Sequence, residues 1–221
     1  MRLSLLQIKP INRENGFKVC FFSVVFFLLY LLFFHTLTQP YPIIKITYLL
    51  TCFIGFLLGL LKIIEPVISC ELDDTGLIYY LKKGELKVRW QDIRRMGDVN
   101  FESRKLPYIG IKLISLDNVL NDTSLRVMSN LIVQQRALLG QVMSQSCETG
   151  TCISEDILNT DPFKTAERTY KGVQAMFAHQ LVLLDTHLGY HILLPEGALD
   201  RQPDEFIRLM RQYKIENVKY T

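Results

Sequence analysis

The sequence holds few of the side chains on which catalysis usually depends. Only four histidines occur in 221 residues, and no G-x-S-x-G elbow, phosphate-binding loop or H-E-x-x-H helix is present. Three of the histidines, His179, His187 and His191, follow the apolar N-terminal region. The last two are separated by a predicted turn, so they do not share a helix face as a zinc pair does. These absences predict a protein that is not an enzyme and that has no metal or cofactor site.

Cysteine is also sparse, and its number, five, is odd. No disulfide framework is therefore expected. Cys147 and Cys152 are the one close pair, with a glycine among the four residues between them. They could bind a metal or form a regulatory disulfide, which would make the protein a redox or metal sensor, or an enzyme that uses this loop. Two ordinary reduced thiols are the alternative, because a structural zinc site needs four ligands and no second pair at matching spacing exists.

No strong excess of basic charge is present outside the N-terminal region. Residues 1–64 contain six of the 25 basic residues but one of the 22 acidic residues, Glu14. This leaves 19 basic and 21 acidic residues in 65–221, a formal charge of −2. A near-neutral domain is a poor ligand for a phosphate backbone. Nucleic acid is therefore not an expected partner.

Acidic residues are absent from two long apolar runs, Phe17–Leu37 and Ile43–Ile64. Each run is about as long as a bilayer-crossing helix, roughly 20 residues. The charged residues within them, Lys18, Lys45 and Lys62, lie near the ends, where a long ammonium side chain reaches the interface. No small-residue cleavage site follows the first run, which argues against a signal peptide. The sequence predicts two transmembrane helices.

The connection between the two runs, Thr38–Pro42, contains two prolines and allows only a tight antiparallel hairpin. Basic residues concentrate before the first run and after the second. By the positive-inside rule, this distribution places the N- and C-termini in the cytoplasm. We therefore expect a multi-pass membrane protein whose cytoplasmic cysteines stay reduced.

The pattern changes to β-structure after Pro66, because proline cannot continue the second helix. Alternating apolar and basic residues and short Asp/Gly or Lys/Gly turns are typical of a β-meander. The predicted strands are Val67–Leu72, Leu77–Leu81, Leu86–Trp90, Ile93–Phe101 and Tyr108–Ser115, with Lys105–Pro107 between the last two.

Helical spacing then replaces the β-pattern. We predict a helix over Thr123–Ser146 with Asp122 as its N-cap, and a second from Asp161 to about His179. The remaining predicted elements are a β-hairpin of Leu181–Leu184 and Tyr190–Leu194 and a final amphipathic helix, Arg201–Tyr213.

Two motifs carry a resemblance to a known fold. The run Asp73-Asp74-Thr75-Gly76-Leu77 through Trp90-x-Asp92-Ile93, with the late series Leu181 to Tyr213, resembles bacterial pleckstrin-homology-like (PH-like) domains that follow two-span hairpins. The late series, with Leu188-Gly189-Tyr190, is also similar to an uncharacterised family of two-span bacterial inner-membrane proteins. The resemblance implies a small β-barrel at the cytoplasmic face of the bacterial inner membrane. These motifs are scaffold residues and specify the fold better than the function.

The expected fold class is an α+β membrane protein, with a two-helix transmembrane hairpin followed by a PH-like β-barrel with a helical insertion and a C-terminal capping helix. Its predicted segments are a cytoplasmic tail (1–16), the hairpin (17–64, with spans at about 17–37 and 43–64), the first part of the PH-like domain (65–121), the insertion (122–179), and a closing β-hairpin with the C-terminal helix (180–221). Trp90 is expected to be a buried anchor whose indole N–H needs a partner. Asp92 is expected to cap the turn after the third strand.

Four basic residues, Lys82, Lys83, Lys87 and Arg89, follow the predicted membrane region. They could contact anionic lipid headgroups or form a solvated strand face. The acidic loop Asp73-Asp74 argues against phosphoinositide binding of the eukaryotic kind, because carboxylates repel a phosphorylated headgroup.

The sequence therefore predicts a non-catalytic, membrane-anchored interaction or scaffold protein. Its partners are expected to be the lipid bilayer and a protein, which could be a second copy of the chain. The insertion is longer than a small barrel needs, and long insertions are usually functional or disordered. We therefore expect the insertion to supply the partner surface.

Overall fold

The computed structural model describes residues 5–10, 16–34, 42–63, 67–146 and 159–218. The chain divides into two compact units. The helical unit is Pro10–Val67, and the sheet unit combines Met1–Lys9 with Ile68–Thr221.

The helical unit contains two antiparallel apolar helices, α1 (Gly16–Leu29), which continues as a π-helical segment Tyr30–Phe34, and α2 (Pro42–Ile63). Small residues let the helices approach closely, as in a GxxxG packing motif. A Cβ added to Gly59 would lie 2.5 Å from Cys20 Sγ, and one added to Gly55 would lie 2.6 Å from Ser23 Oγ.

Of the helices that the structure describes, α2 is long and apolar enough over Ile43–Ile63 to cross a membrane, and α1 is a shorter apolar helix. Large apolar side chains cover the outside of both helices. Most of the predicted connection Thr38–Pro42 lies outside the described residues. Of the two predicted transmembrane helices, one is therefore matched among the described residues by a helix of sufficient length and apolar character.

Within the described residues, the sheet unit contains two larger antiparallel sheets, here called A and B, and a separate two-stranded hairpin. Sheet A has the order β1-β2-β3-β4, with β1 Leu6–Ile8, β2 Cys70–Leu72, β3 Gly76–Leu81 and β4 Gly84–Arg89. Sheet B has the order β5-β6-β9, with β5 Ile93–Phe101, β6 Arg104–Leu113 and β9 Ile192–Pro195. The strands of the meander are confirmed, with small shifts at their ends.

The first strand corrects the prediction that residues 1–16 form only a tail. Leu6 pairs with Leu72, and Ile8 pairs with Cys70, so β1 is the edge strand of sheet A. Ile8 is fully buried in the core. A segment of three residues shows too little periodicity to be recognised as a strand in the sequence.

The turn between β5 and β6 also differs from the prediction. It lies at Glu102 and Ser103, whose φ angles are 52° and 86°, whereas Lys105–Pro107 belongs to β6. Positive φ at both central residues is the geometry of a type I′ hairpin turn, which usually contains asparagine and glycine. Because neither residue is present here, the sequence carries no signal for this turn.

The other elements of the sheet unit are mainly helical. They are α3 Asp117–Asp122, α4 Leu125–Ser146, β7 Phe163–Lys164, β8 Thr169–Tyr170, α5 Val173–Leu188 and α6 Pro203–Val218. The predicted helix from Asp161 to about His179 is wrong over its first part, where β7 and β8 form a short hairpin, whereas its last part from Val173 belongs to α5. The predicted N-cap Asp122 is also wrong, since it ends α3, and Ser124 precedes α4 and accepts a hydrogen bond from the Val127 N–H.

The predicted closing β-hairpin is wrong in its first half. Leu181–Leu184 lies within α5, where Leu181, Leu184 and Leu188 are buried at helical spacing. Gly189 ends the helix with a φ of 77°, a left-handed conformation that glycine adopts at helix C-termini. Only the second half of the hairpin, β9, is a strand.

The insertion contributes to the core and is not helical throughout. Core side chains from sheets A and B pack with buried residues of α4 and α5, which include Val127, Met128, Leu131, Phe177 and Leu181. A second cluster unites another part of α4 and α5 with β5 and β9. The apolar stripes of these helices are thus covered by the sheets.

The C-terminal helix covers the open edge of β5. Arg211 of α6 donates to the Met96 carbonyl at 3.1 Å, and Lys214 donates to the Ile93 carbonyl. These side chains bind backbone groups that a neighbouring strand would otherwise pair. The mixed α+β architecture is confirmed, but within the described residues sheets A and B remain separate and do not close into a barrel.

Candidate functional site

Trp90 connects two turns at one end of sheet A. Its side chain is 1% exposed, and the indole N–H donates to the Asp73 carbonyl at 2.9 Å. The Trp90 backbone N–H donates to the Thr75 carbonyl at 3.1 Å. The Asp73 carboxylate in turn accepts from the backbone N–H groups of Thr75 and Gly76 at 2.8 and 2.7 Å. The prediction that Trp90 is a buried anchor is confirmed.

Asp92 does not cap its own turn, as the sequence analysis expected. Its carboxylate accepts two hydrogen bonds from the Asn118 amide, at 2.9 and 3.0 Å. Its backbone carbonyl accepts from the Ile114 N–H at 2.8 Å. Asp92 therefore attaches α3 to the start of sheet B, a contact between segments 26 residues apart.

A cleft of about 570 Å³ opens beside this Trp90 turn. Its walls come from β3, β4, the end of α3 and the end of α6. Arg89 Nη2 lies 2.7 Å from Asp122 Oδ2 at the rim. Lys87, which also lines the cleft, has its Nζ 2.8 Å from Glu85 Oε1. The cleft therefore presents both signs of charge, and both basic side chains are already paired.

The polar lining of the cleft includes charged side chains, amide side chains and one hydroxyl, that of Thr75. No histidine, cysteine or serine occurs among its lining residues. The Thr75 hydroxyl donates to Asp73 Oδ1 at 2.7 Å, within the turn that holds Trp90. A nucleophile needs an adjacent base that is oriented by a third group. The Thr75 hydroxyl instead stabilises the turn through its hydrogen bond to Asp73.

The predicted basic group is divided by the structure. Lys87 and Arg89 lie along β4 and are ion-paired. Lys82 and Lys83 occupy the β3–β4 turn and are exposed to solvent. Lys82 and Lys83 therefore precede β4, whereas Lys87 lies within the strand and Arg89 at its end.

Sequence reasoning missed a buried carboxylate, Asp117, which is 5% exposed. It accepts hydrogen bonds from the hydroxyls of Thr165, Ser115 and Tyr170 at 2.5, 2.8 and 3.0 Å. Burial raises the pKa of Asp117, but these three donors and the charge of Arg168 together lower the pKa below its ordinary value. The contacts attach the β7–β8 hairpin to α3. No local motif could have revealed them, since Thr165 and Tyr170 are about fifty residues away.

The three histidines are not brought together as ligands. His191 Nδ1 accepts from the Leu113 backbone N–H at 3.0 Å, and its Nε2 lies 3.8 Å from Asp185 Oδ2. Burial lowers the pKa of His191 and Lys112 acts in the same direction, whereas Asp185 opposes them. Over the part of the chain that the structure describes, no cluster of three or more metal-ligating side chains exists.

The cysteine pair Cys147 and Cys152 lies outside the described residues. Cys70 is described and is buried in sheet A. Burial raises the pKa of its thiol to about 12, so it stays protonated and unreactive at neutral pH.

The described residues thus define a mixed α+β domain with a charged surface cleft, which is joined to an apolar helix pair. The family model of proteins of unknown function, DUF2982, matches residues 70–216, well over half of the chain. The protein belongs to this uncharacterised family. Neither the curated proteins nor the solved structures include a significant match to it.

Proposed function

We propose that this protein is a non-catalytic interaction protein of the bacterial inner membrane, anchored by both apolar helices. The pairing of β1 with β2 is the main support. β1 precedes the helical unit and β2 follows it, yet they are neighbours in one sheet. A segment whose two ends pair in a soluble sheet starts and ends on the same side of a bilayer. It therefore crosses an even number of times.

Two crossings fit the helices. The region from α1 through the π-helical segment has 19 helical residues, Gly16–Phe34, and α2 has 22. Both approach the roughly 20 residues that a span needs. With the basic distribution of the flanks, the positive-inside rule gives cytoplasmic N- and C-termini.

The sheet unit is a PH-like domain in this proposal. Four strands in one sheet, three in the other and a C-terminal helix across the edge of β5 support that assignment. The connection between β6 and β9 carries α3, α4, the β7–β8 hairpin and α5 as an elaboration that enlarges the core.

The cleft beside Trp90 is the proposed partner surface, in place of the insertion favoured by the sequence. The apolar stripes of α4 and α5 are buried in the core, whereas the cleft offers the exposed side chains of Lys87 and Arg89 beside a partly exposed Ile78. A protein segment that carries both signs of charge is the complementary partner.

The experiment places a photo-crosslinking residue at Gln91, on the rim of the cleft, in the full chain in native membranes. The matched control places it at Gln134, an exposed residue of α4. The proposal expects discrete adducts of one mass from Gln91 that fall severalfold when Arg89→Glu is added. If only the residue at Gln134 forms adducts, the partner binds the insertion and the proposed cleft is wrong. If the adducts from Gln91 do not respond to Arg89→Glu, they arise from random collision and the cleft is not a binding site.

A further inference from the structure

We propose that the β3–β4 turn, through Lys82 and Lys83, binds the headgroups of anionic lipids. This inference rests on the proposed membrane anchor and adds a lipid-binding surface on the sheet unit itself. Its basis is the register of sheet A, which decides which end of the sheet carries which residues.

The chain leaves and re-enters sheet A at the end that carries this turn. Ile8 pairs with Cys70, Cys70 with Tyr79, and Tyr79 with Leu86, so these four residues form one row across the sheet. Beyond this row, β1 runs on to Lys9, β3 runs on into the turn, and β2 is entered from Ile68.

Short tethers connect this end of the sheet to the two apolar helices. Six residues separate Lys9 from Gly16, where α1 begins, and four separate Ile63 from Ile68. An extended chain covers at most about 3.5 Å per residue, so neither tether exceeds about 25 Å.

The charge at this end is free to act on lipids. Lys9, Lys82 and Lys83 are all exposed. Two carboxylates of sheet A have other partners, because Glu85 lies 2.8 Å from the Lys87 ammonium and Glu71 accepts from the Tyr80 hydroxyl at 2.8 Å.

The start of α4 adds a second basic and apolar element beside the turn. A Cβ added to Gly84 would lie 2.8 Å from Val127 Cγ2 and 3.7 Å from Ser124 Oγ, so the first turn of α4 borders the β3–β4 turn. Leu125 there is 56% exposed, and Arg126 is also exposed. Basic residues combined with an exposed apolar side chain are typical of a surface that rests on lipid headgroups.

The test measures amine acetylation of the full chain by mass spectrometry in two kinds of lipid nanodisc. One contains phosphatidylcholine alone, and the other also contains phosphatidylglycerol. Lys164 is the internal control. It lies in β7, and the neighbouring Thr165 binds Asp117 of α3. Asn118 joins α3 to Asp92, which follows the end of β4 opposite the β3–β4 turn. Lys164 therefore belongs to the other end of the sheet.

We expect acetylation of Lys82 and Lys83 to slow by about fivefold or more in the anionic disc, and acetylation of Lys164 to stay unchanged. Salt at roughly 1 M, where the Debye length is about 3 Å, should abolish the protection. Inorganic phosphate added in detergent should give none. Lys82→Gln should weaken the protection of Lys83 severalfold, whereas Lys164→Gln should not.

Equal acetylation in the two discs overturns the inference, as does protection that survives high salt or the Lys82→Gln substitution. Protection by phosphate alone would assign the turn to a free anion and overturn the lipid assignment. Extraction with alkaline carbonate tests the anchor separately. Release of the chain defeats both proposals, whereas a retained chain with unprotected lysines defeats this one alone.

Discussion

Trp90 is the residue whose role in the fold follows most directly from its place in the sequence. It fills the end of sheet A and donates to a turn that is 17 residues earlier in the chain. Burial of a large aromatic side chain and satisfaction of its single donor act together at this position.

Trp90→Ala should therefore lower the free energy of unfolding by about 3–5 kcal/mol, the usual cost of deleting a large aromatic side chain from a core. Gln91→Ala, at the exposed neighbour, should change it by less than about 0.5 kcal/mol. Denaturant titration of both variants of the full chain in detergent measures the difference. An unchanged midpoint for Trp90→Ala would show that the indole is not an anchor.

His191 should make stability depend on pH. Its pKa in the folded protein is lowered below 6.5 by burial and by Lys112, against the opposing charge of Asp185. The unfolded chain therefore binds the proton more readily, and stability is lost as the pH falls through this region. The free energy of unfolding should be steady above about pH 7.5 and should decrease between pH 7 and 5.

His191→Gln provides the comparison, since glutamine can accept from the Leu113 N–H and cannot take up a proton. Unfolding titrations at several pH values should show a flatter profile for this variant between pH 7 and 5. Parallel profiles for the variant and the original chain would remove His191 as the cause.

Trp90 could be predicted from sequence, because an aromatic residue at the end of an alternating strand is strongly favoured as core. The sequence could not predict which group accepts the hydrogen bond from its indole N–H, or which residue binds the Asp92 carboxylate. Asp73 and Asn118 belong to other elements, and only the assembled sheets bring them near. The same applies to Asp117, whose hydroxyl donors include Thr165 and Tyr170.

At the scale of elements, the strands of the meander were predictable and α5 was not. Strands such as β4 alternate apolar and charged residues, which gives a period of two. Leu181–Leu184 is a short run of apolar residues that fits a buried strand or a buried helix equally well. Its helical state depends on packing against both sheets and α4, which local sequence does not encode.

Two glycines should respond oppositely to the same substitution. Gly110 pairs with Gly97 across β5 and β6, and a Cβ there would overlap the ring of Tyr190. Gly110→Ala should cost about 1–3 kcal/mol through overpacking. Gly140 in α4 has nothing within 4 Å of its Cβ position, so Gly140→Ala should stabilise the protein by about 0.5–1 kcal/mol.

Thermal unfolding of the two alanine variants measures these effects side by side. Destabilisation by Gly140→Ala would mean that the added methyl group meets a neighbour, which contradicts the open space around Gly140. A neutral Gly110→Ala would show that Tyr190 does not rest on this glycine pair.

Replacement of the insertion, Thr123–Ala178, by a Gly/Ser linker should unfold the sheet unit. Val127, Met128, Leu131, Ile132 and Phe177 would all be lost from the core, and each large apolar deletion costs about 2–5 kcal/mol. Such a loss exceeds the stability of an ordinary domain. Circular dichroism and limited proteolysis of the full-length replacement variant measure it, and a folded, protease-resistant sheet unit would contradict the account.

At the scale of the whole molecule, the three residues of β1 are the feature on which the proposed membrane topology depends. They return the N-terminal segment to the sheet that begins again after α2. The sequence predicted the two termini on one side from basic residues alone, whereas the strand pairing supports the same topology through hydrogen bonds.

The central claim, that both apolar helices cross the bilayer as a hairpin whose ends return to one sheet, is tested most directly by reporter fusions. Reporters that are active on only one side of the membrane are placed before Met1, at Gln39 and after Thr221. The account predicts that the first and third report the cytoplasm and that the reporter at Gln39 reports the opposite side. A reporter at Gln39 on the same side as Thr221, or termini on opposite sides, would contradict it.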